Sequence, residues 1–144
     1  MDAYIALDLE TTGLSPKSDR ILEIGAARVL NGAVEARYST LINPRMEIPA
    51  KITELTGITQ EMVEEMPEIK EAVPELLAFC GDLPLLGHNI MFDYSFVKHS
   101  AVNCGFAFEK EGIDTLKISR ALLAGLPSRS LQNLRVHYAI TQEN

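Results

Sequence analysis

The chain has 144 residues, 47% hydrophobic and 23% charged, which suits one globular domain able to bury a core. Its formal net charge of −7 excludes a protein that grips nucleic acid through a broad basic surface, although bound divalent cations could supply positive charge locally. The opening MDAYIALDLE holds neither a basic n-region nor a long apolar run, so neither a signal peptide nor a membrane span is expected. Cys80 and Cys104 stand far apart without a C-x-x-C pattern, and read as small buried hydrophobes in a reducing cytoplasm.

Residues 3–9 are predicted to form a first strand, 21–30 a second and 34–42 a third. The pair Asn31-Gly32 between the last two is a strong hairpin signal. Helical segments follow over 50–56, 59–65 and 69–80, with the acids of QEMVEEMPEIKEAVPE on a solvated face. A short buried strand is predicted over 84–87, then a helix capped by Asn89 that runs to Cys104 and stops at Gly105. A further strand is predicted over 112–114, then helices near 115–124 and 129–138, with Asp114 as the N-cap of the first. Three strands followed by alternating helix and strand give an α/β fold, a mixed sheet with helices packed on it. No repeat, linker or internal boundary interrupts residues 1–144.

Within IALDLETTG, residues 5–13, strand alternation turns Ile5, Leu7 and Leu9 one way and Ala6, Asp8 and Glu10 the other. The two acids then share a face, roughly 6–7 Å apart, and each raises the other's pKa unless positive charge lies between them. A lone D-x-E is most simply a solvated edge strand. A third acid changes the balance. In GHNIMFDYSFV, residues 87–97, Asp93 falls about one turn into a helix whose macrodipole favours an anion, flanked by apolar Phe92 and Phe96. On a helix following a central strand, it could face Asp8 and Glu10 across the sheet. Three carboxylates without a Cys or His cluster suit Mg²⁺ or Mn²⁺ better than zinc. Two such ions roughly 3.5–4 Å apart can clamp a phosphodiester.

ALDLETTGLSP, LTGIT and GHNIMFDYSFV together resemble the first motif, the following loop and the second motif of DEDD-type 3′–5′ exonucleases. Within that superfamily the chain is most similar to the proofreading exonucleases of bacterial DNA polymerase III, above all the PolC type. Thr56, where the epsilon type usually has His, favours that branch. The resemblance implies a ribonuclease H-like fold, a cytoplasmic enzyme, two divalent cations, a single-stranded or frayed DNA 3′ end as substrate, and a polymerase subunit as a possible partner. It gives Asp8 the place of the acid that contacts both metals, and Glu10 and Asp93 two further acidic positions. Thr11, Thr12, Gly13 and Leu14 would line the terminal nucleotide, with Leu14 as a wedge, and Ile58 would close the other side. Plainer roles compete: a strand-to-loop turn for Thr11–Gly13, a hydrogen-bonded structural residue for His88, a cap first and ligand contact second for Asn89, and core for Phe92 and Phe96.

The family's third motif carries a histidine general base and, five residues on, a fourth aspartate, both after a segment like LQNLRVHYAI, which stands here at 131–140. The sequence reaches TQEN where that histidine is expected, and His137 does not match its position. The domain is therefore expected to be C-terminally incomplete, without its last helix and weak or inactive as it stands. Competing expectations are a 3′–5′ exoribonuclease and a catalytically idle nucleic-acid-binding or polymerase-docking module. Survival of all three acids favours the enzyme.

Overall fold

The structure, a computed structural model, describes residues 2–115. The strands β1 (Ala3–Thr11), β2 (Ile21–Leu30), β3 (Ala33–Leu41), β4 (Leu85–Gly87) and β5 (Gly112–Asp114) form one sheet in the order β3-β2-β1-β4-β5. β1 pairs antiparallel with β2 and parallel with β4, so it is the central strand where the two pairing modes meet. The mixed α/β sheet expected from the strand order is the one observed. The helices expected near 115–124 and 129–138, and His137, lie outside the described residues.

Local chemistry accounts for most boundaries. Asn31 and Gly32 both adopt positive φ, 50° and 82°, the demand of a two-residue type I′ hairpin between β2 and β3. The helix α1 (Ala50–Thr56) stops where Gly57 turns left-handed. The Thr59 hydroxyl caps the short α2 (Gln60–Val63), accepting from the Met62 amide. α3 (Ile69–Cys80) and α4 (Ile90–Asn103) fall within about a residue of the expected helices, and Gly105 ends the turn after α4 at φ 87°.

The main core joins Ile5, Leu7 and Leu9 of β1 to Val73 and Leu76 of α3 and to Ile90, Phe96, Val97 and Ala101 of α4. Phe96 is fully buried and Phe92 half-buried, their ring centroids 5.0 Å apart. Cys80 is buried in the same core and Cys104 half-buried at the end of α4. A satellite cluster of Leu22, Ile48, Ile58 and Val63 seats the α1–α2 excursion. No helix among the described residues is long and apolar enough to cross a membrane.

Gly87 sets how closely β4 lies on β1 and how α4 begins. A Cβ there would stand 2.7 Å from the Leu7 carbonyl oxygen and 2.9 Å from Ile90 Cδ1. Backbone on one side and a buried side chain on the other leave no room to yield. Gly87→Ala is expected to destabilise the fold by about 1–3 kcal/mol, the usual cost of overpacking, with an unchanged m-value in urea unfolding. Wild-type stability would show that the contact is slack.

Candidate active site

β1 buries Leu7 and Leu9 and turns Asp8 and Glu10 to its opposite face, as alternation requires. Asp8 is exposed and Glu10 half-buried. In the antiparallel register Asp8 lies opposite Gly25 and Glu10 opposite Glu23, so Glu23 joins the same acidic face. Burial first, then Asp8, then Glu23, pushes the Glu10 carboxyl above its ordinary range.

Asp93 lies in the first turn of α4 and is only 5% exposed. Among the described residues no hydrogen-bond donor meets its carboxylate. Its pKa is pushed up to about 7, first by burial and then by the charges of Asp8 and Glu10. The structure thus brings the three acids singled out in the sequence into one electrostatic field, reached from a central strand and the helix that follows its parallel neighbour. Among the described residues, no three or more Asp, Glu, His or Cys side chains are disposed as a ready metal cage. The donors themselves are all hard oxygen, and an undonated buried carboxylate beside two others is chemically suited to a divalent cation.

The loop after β1 is organised by Asp19, which carries no sequence motif of its own. The Thr12 hydroxyl donates to Asp19 Oδ1 (3.2 Å) and accepts from the Arg20 amide (2.9 Å), while the Ser15 amide donates to Asp19 Oδ2 (3.0 Å). The Thr11 hydroxyl donates to the Gly13 carbonyl at 2.7 Å. Thr11 and Thr12 are buried, their hydroxyls engaged in shaping this loop. Gly13 leaves room for this carboxylate: a Cβ there would lie 2.3 Å from Asp19 Oδ2, so Asp19 would have to move. The loop holds Leu14 out at 84% exposure.

Several expectations need correction. Asn89 does not cap α4 through its side chain. It is left-handed (φ 55°, ψ 49°), and it is its backbone amide that is tied, donating to Asp114 Oδ1 at 3.0 Å. Asp114 therefore fastens the β4–α4 turn. His88 is exposed, with no side-chain hydrogen bond among the described residues. Ile58 is 3% exposed within the satellite core, whereas Leu55, on the last turn of α1, is 79% exposed. The left-handed Gly57 reverses the chain between them and turns Ile58 inward. Glu23 could be found only from the strand register.

Acids on the open face of a central strand, in a sheet ordered 3-2-1-4-5, define a ribonuclease H-like domain. E. coli exonuclease I in complex with a dT13 oligonucleotide shares this fold at a TM-score of 0.77 and 18% identity, over 86% of this chain and 30% of that one. The RNase_T exonuclease family matches residues 5–144, and the chain belongs to it. The DNA polymerase III PolC-type protein of Clostridium perfringens is 39% identical over 143 residues, 99% of this chain and 10% of that protein. The DNA polymerase III subunit epsilon of Aquifex aeolicus is 34% identical over 136 residues, 94% of this chain and 67% of that protein. The chain spans about a tenth of the length of the PolC-type relatives it matches.

The raised pKa of Asp93 fixes a pH dependence. Below the ordinary aspartate range, folded and unfolded chains both carry the proton and Asp93 subtracts nothing from stability. As pH rises from there to about 7, the unfolded chain has released a proton that the folded chain retains, so stability falls; above about 7 the loss is complete. In chelator, Asp93→Asn is therefore expected to be near neutral at about pH 4 and stabilising by at least about 1 kcal/mol at about pH 8, in urea unfolding. Equal effects at both pH values would contradict it.

Proposed function

We propose that this domain is a divalent-metal-dependent 3′–5′ exonuclease that hydrolyses the terminal phosphodiester of a single-stranded or frayed DNA 3′ end, releasing 5′-mononucleotides in a proofreading role. The observation that carries this reading is the buried Asp93 carboxylate coupled to Asp8 and Glu10. Family membership supports the reaction class, and the DNA polymerase III relatives favour DNA over RNA, a polymerase partner and a cytoplasmic setting. An idle docking module would have no need to keep a carboxylate buried at such cost.

Asp8, Glu10 and Asp93 would hold the cation, with Glu23 beside Glu10 adding to the negative potential that attracts it. The bound ion would supply Lewis-acid polarisation of the scissile phosphate and a deprotonated water at neutral pH. The chain's own contribution is placement. The Asp19-centred loop fixes Gly13 and Leu14 beside the end of β1, and Leu14 and Leu55 are the exposed apolar side chains suited to contacting an unstacked terminal base. In this reading Leu55 takes the role that the sequence gave to Ile58.

Two outcomes test the reading. At about pH 8, Mn²⁺ at roughly a hundredfold excess over its Kd should stabilise the wild-type chain by about 2.7 kcal/mol and Asp8→Ala far less. On a labelled oligonucleotide, with the chain extended through the third motif, mononucleotides should leave the 3′ end first, and Asp8→Asn or Asp93→Asn should slow release on the order of 10²-fold or more. Equal stabilisation of both chains, or mononucleotides released first from a 5′ label, would sink the proposal. Leu14→Ala and Leu55→Ala should raise KM for the 3′ end several-fold without lowering the melting temperature, since neither side chain is buried. Unchanged KM in both would remove these leucines from the site.

A further inference from the structure

A second recess lies outside the carboxylate face, between the loop after β1, the segment following β3, the start of α3 and the end of α4. It is a cavity of about 270 Å³, large enough for a small ligand group. Its apolar wall includes Ile21 and Ile42, both buried, and Ile69. Around them stand Lys17, Arg20 and Arg45, with His99 and Asn103 reaching in from α4.

The charges in this recess do not cancel. Glu68 is taken by Arg45, their side chains 2.9 Å apart. Asp19 is occupied by the Thr12 hydroxyl and the Ser15 amide, and forms no ion pair among the described residues. Arg20 donates from Nη1 only to the Pro44 carbonyl, a neutral partner, at 3.2 Å. Lys17 and His99 have no side-chain partner among the described residues. In a chain of net charge −7, two cations without a carboxylate partner beside one recess are a local inversion of sign.

We propose that this cavity binds a phosphate group, with Lys17 and Arg20 meeting the phosphate oxygens, His99 and Asn103 donating to it, and the isoleucine wall contacting an attached sugar. The proposal rests on the exonuclease reading only for the source of the phosphate, which that reading makes a nucleic-acid strand. The recess adjoins the same Asp19-centred loop that presents Leu14. A strand held there would be held by the element that also meets its 3′ end. A free nucleotide is the other source of the same chemistry.

The test uses the whole chain in chelator, where hydrolysis plays no part. Binding of a thymidine hexanucleotide and of thymidine monophosphate is measured over a salt series for wild type, Lys17→Gln, Lys17→Arg, His99→Gln and the control Lys70→Gln, exposed on α3 and outside the cavity. Lys17→Gln should weaken the hexanucleotide several-fold and reduce the slope of log K against log salt by about 0.7, the single-strand value for one lost phosphate contact. Lys17→Arg should restore both, His99→Gln should weaken binding, and Lys70→Gln should change neither. A loss confined to the hexanucleotide identifies a strand phosphate; an equal loss for the monophosphate identifies a free nucleotide. Binding of both ligands that is indifferent to Lys17 overturns the proposal. Failure here with intact 3′-end hydrolysis would leave the exonuclease reading standing, and Lys17-dependent binding by a chain without hydrolysis would do the reverse.

Discussion

A carboxylate held out of water beside two others is the constraint around which this domain is arranged. Asp93 has no hydrogen-bond donor among the described residues, and burial together with Asp8 and Glu10 drives its pKa to about 7. Left to itself, such a side chain would swing toward solvent. It stays because α4 is anchored on both sides of it: Ile90 precedes it, Phe96 and Val97 follow it, and all three are buried. The start of the helix is fixed separately, by the tight approach of Gly87 to β1 and by the bond from the Asn89 amide to Asp114. Packing energy from the core thus holds an electrostatically unfavourable group in place, a pattern characteristic of sites whose charge is meant to be met by a ligand.

The same logic operates one loop away. Thr11, Thr12 and Gly13 could be read as nucleotide contacts or as a simple turn, and the structure gives them definite local duties. Asp19 gathers the Thr12 hydroxyl and the Ser15 amide, and its carboxylate fills the space that a side chain at position 13 would need. Leu14 is consequently held in water at the tip, where its exposure has no structural benefit. A loop stiffened from within can present an apolar side chain with little conformational freedom left to lose on binding. Its far end carries Lys17 and Arg20, so a single internal aspartate shapes both the apolar tip and the cationic recess.

Much of this was legible in the sequence because it is local. Alternation in ALDLE puts both acids on one face, Asn31-Gly32 demands a type I′ hairpin, and Gly57 and Gly105 end helical turns, all within a few residues of chain. That Asp93 feels the charges of Asp8 and Glu10 accords with a helix following a strand parallel to β1. What only the tertiary structure decided depends on partners far away in the chain. Glu23 reaches the acidic face through the β1–β2 register, which shifts between Glu10 and Thr11 and is set by a loop with no short-turn rule. Asn89 takes a left-handed backbone in place of the extended one a capping side chain needs, in a turn whose amide is tied to Asp114, twenty-five residues on. Ile58 goes inside and Leu55 outside because Leu22, Ile48 and Val63 build a small core on one side of α1 only. The cationic recess is assembled from four separate segments. Local pattern fixes which face a residue takes on its own element; long-range packing fixes what that face meets.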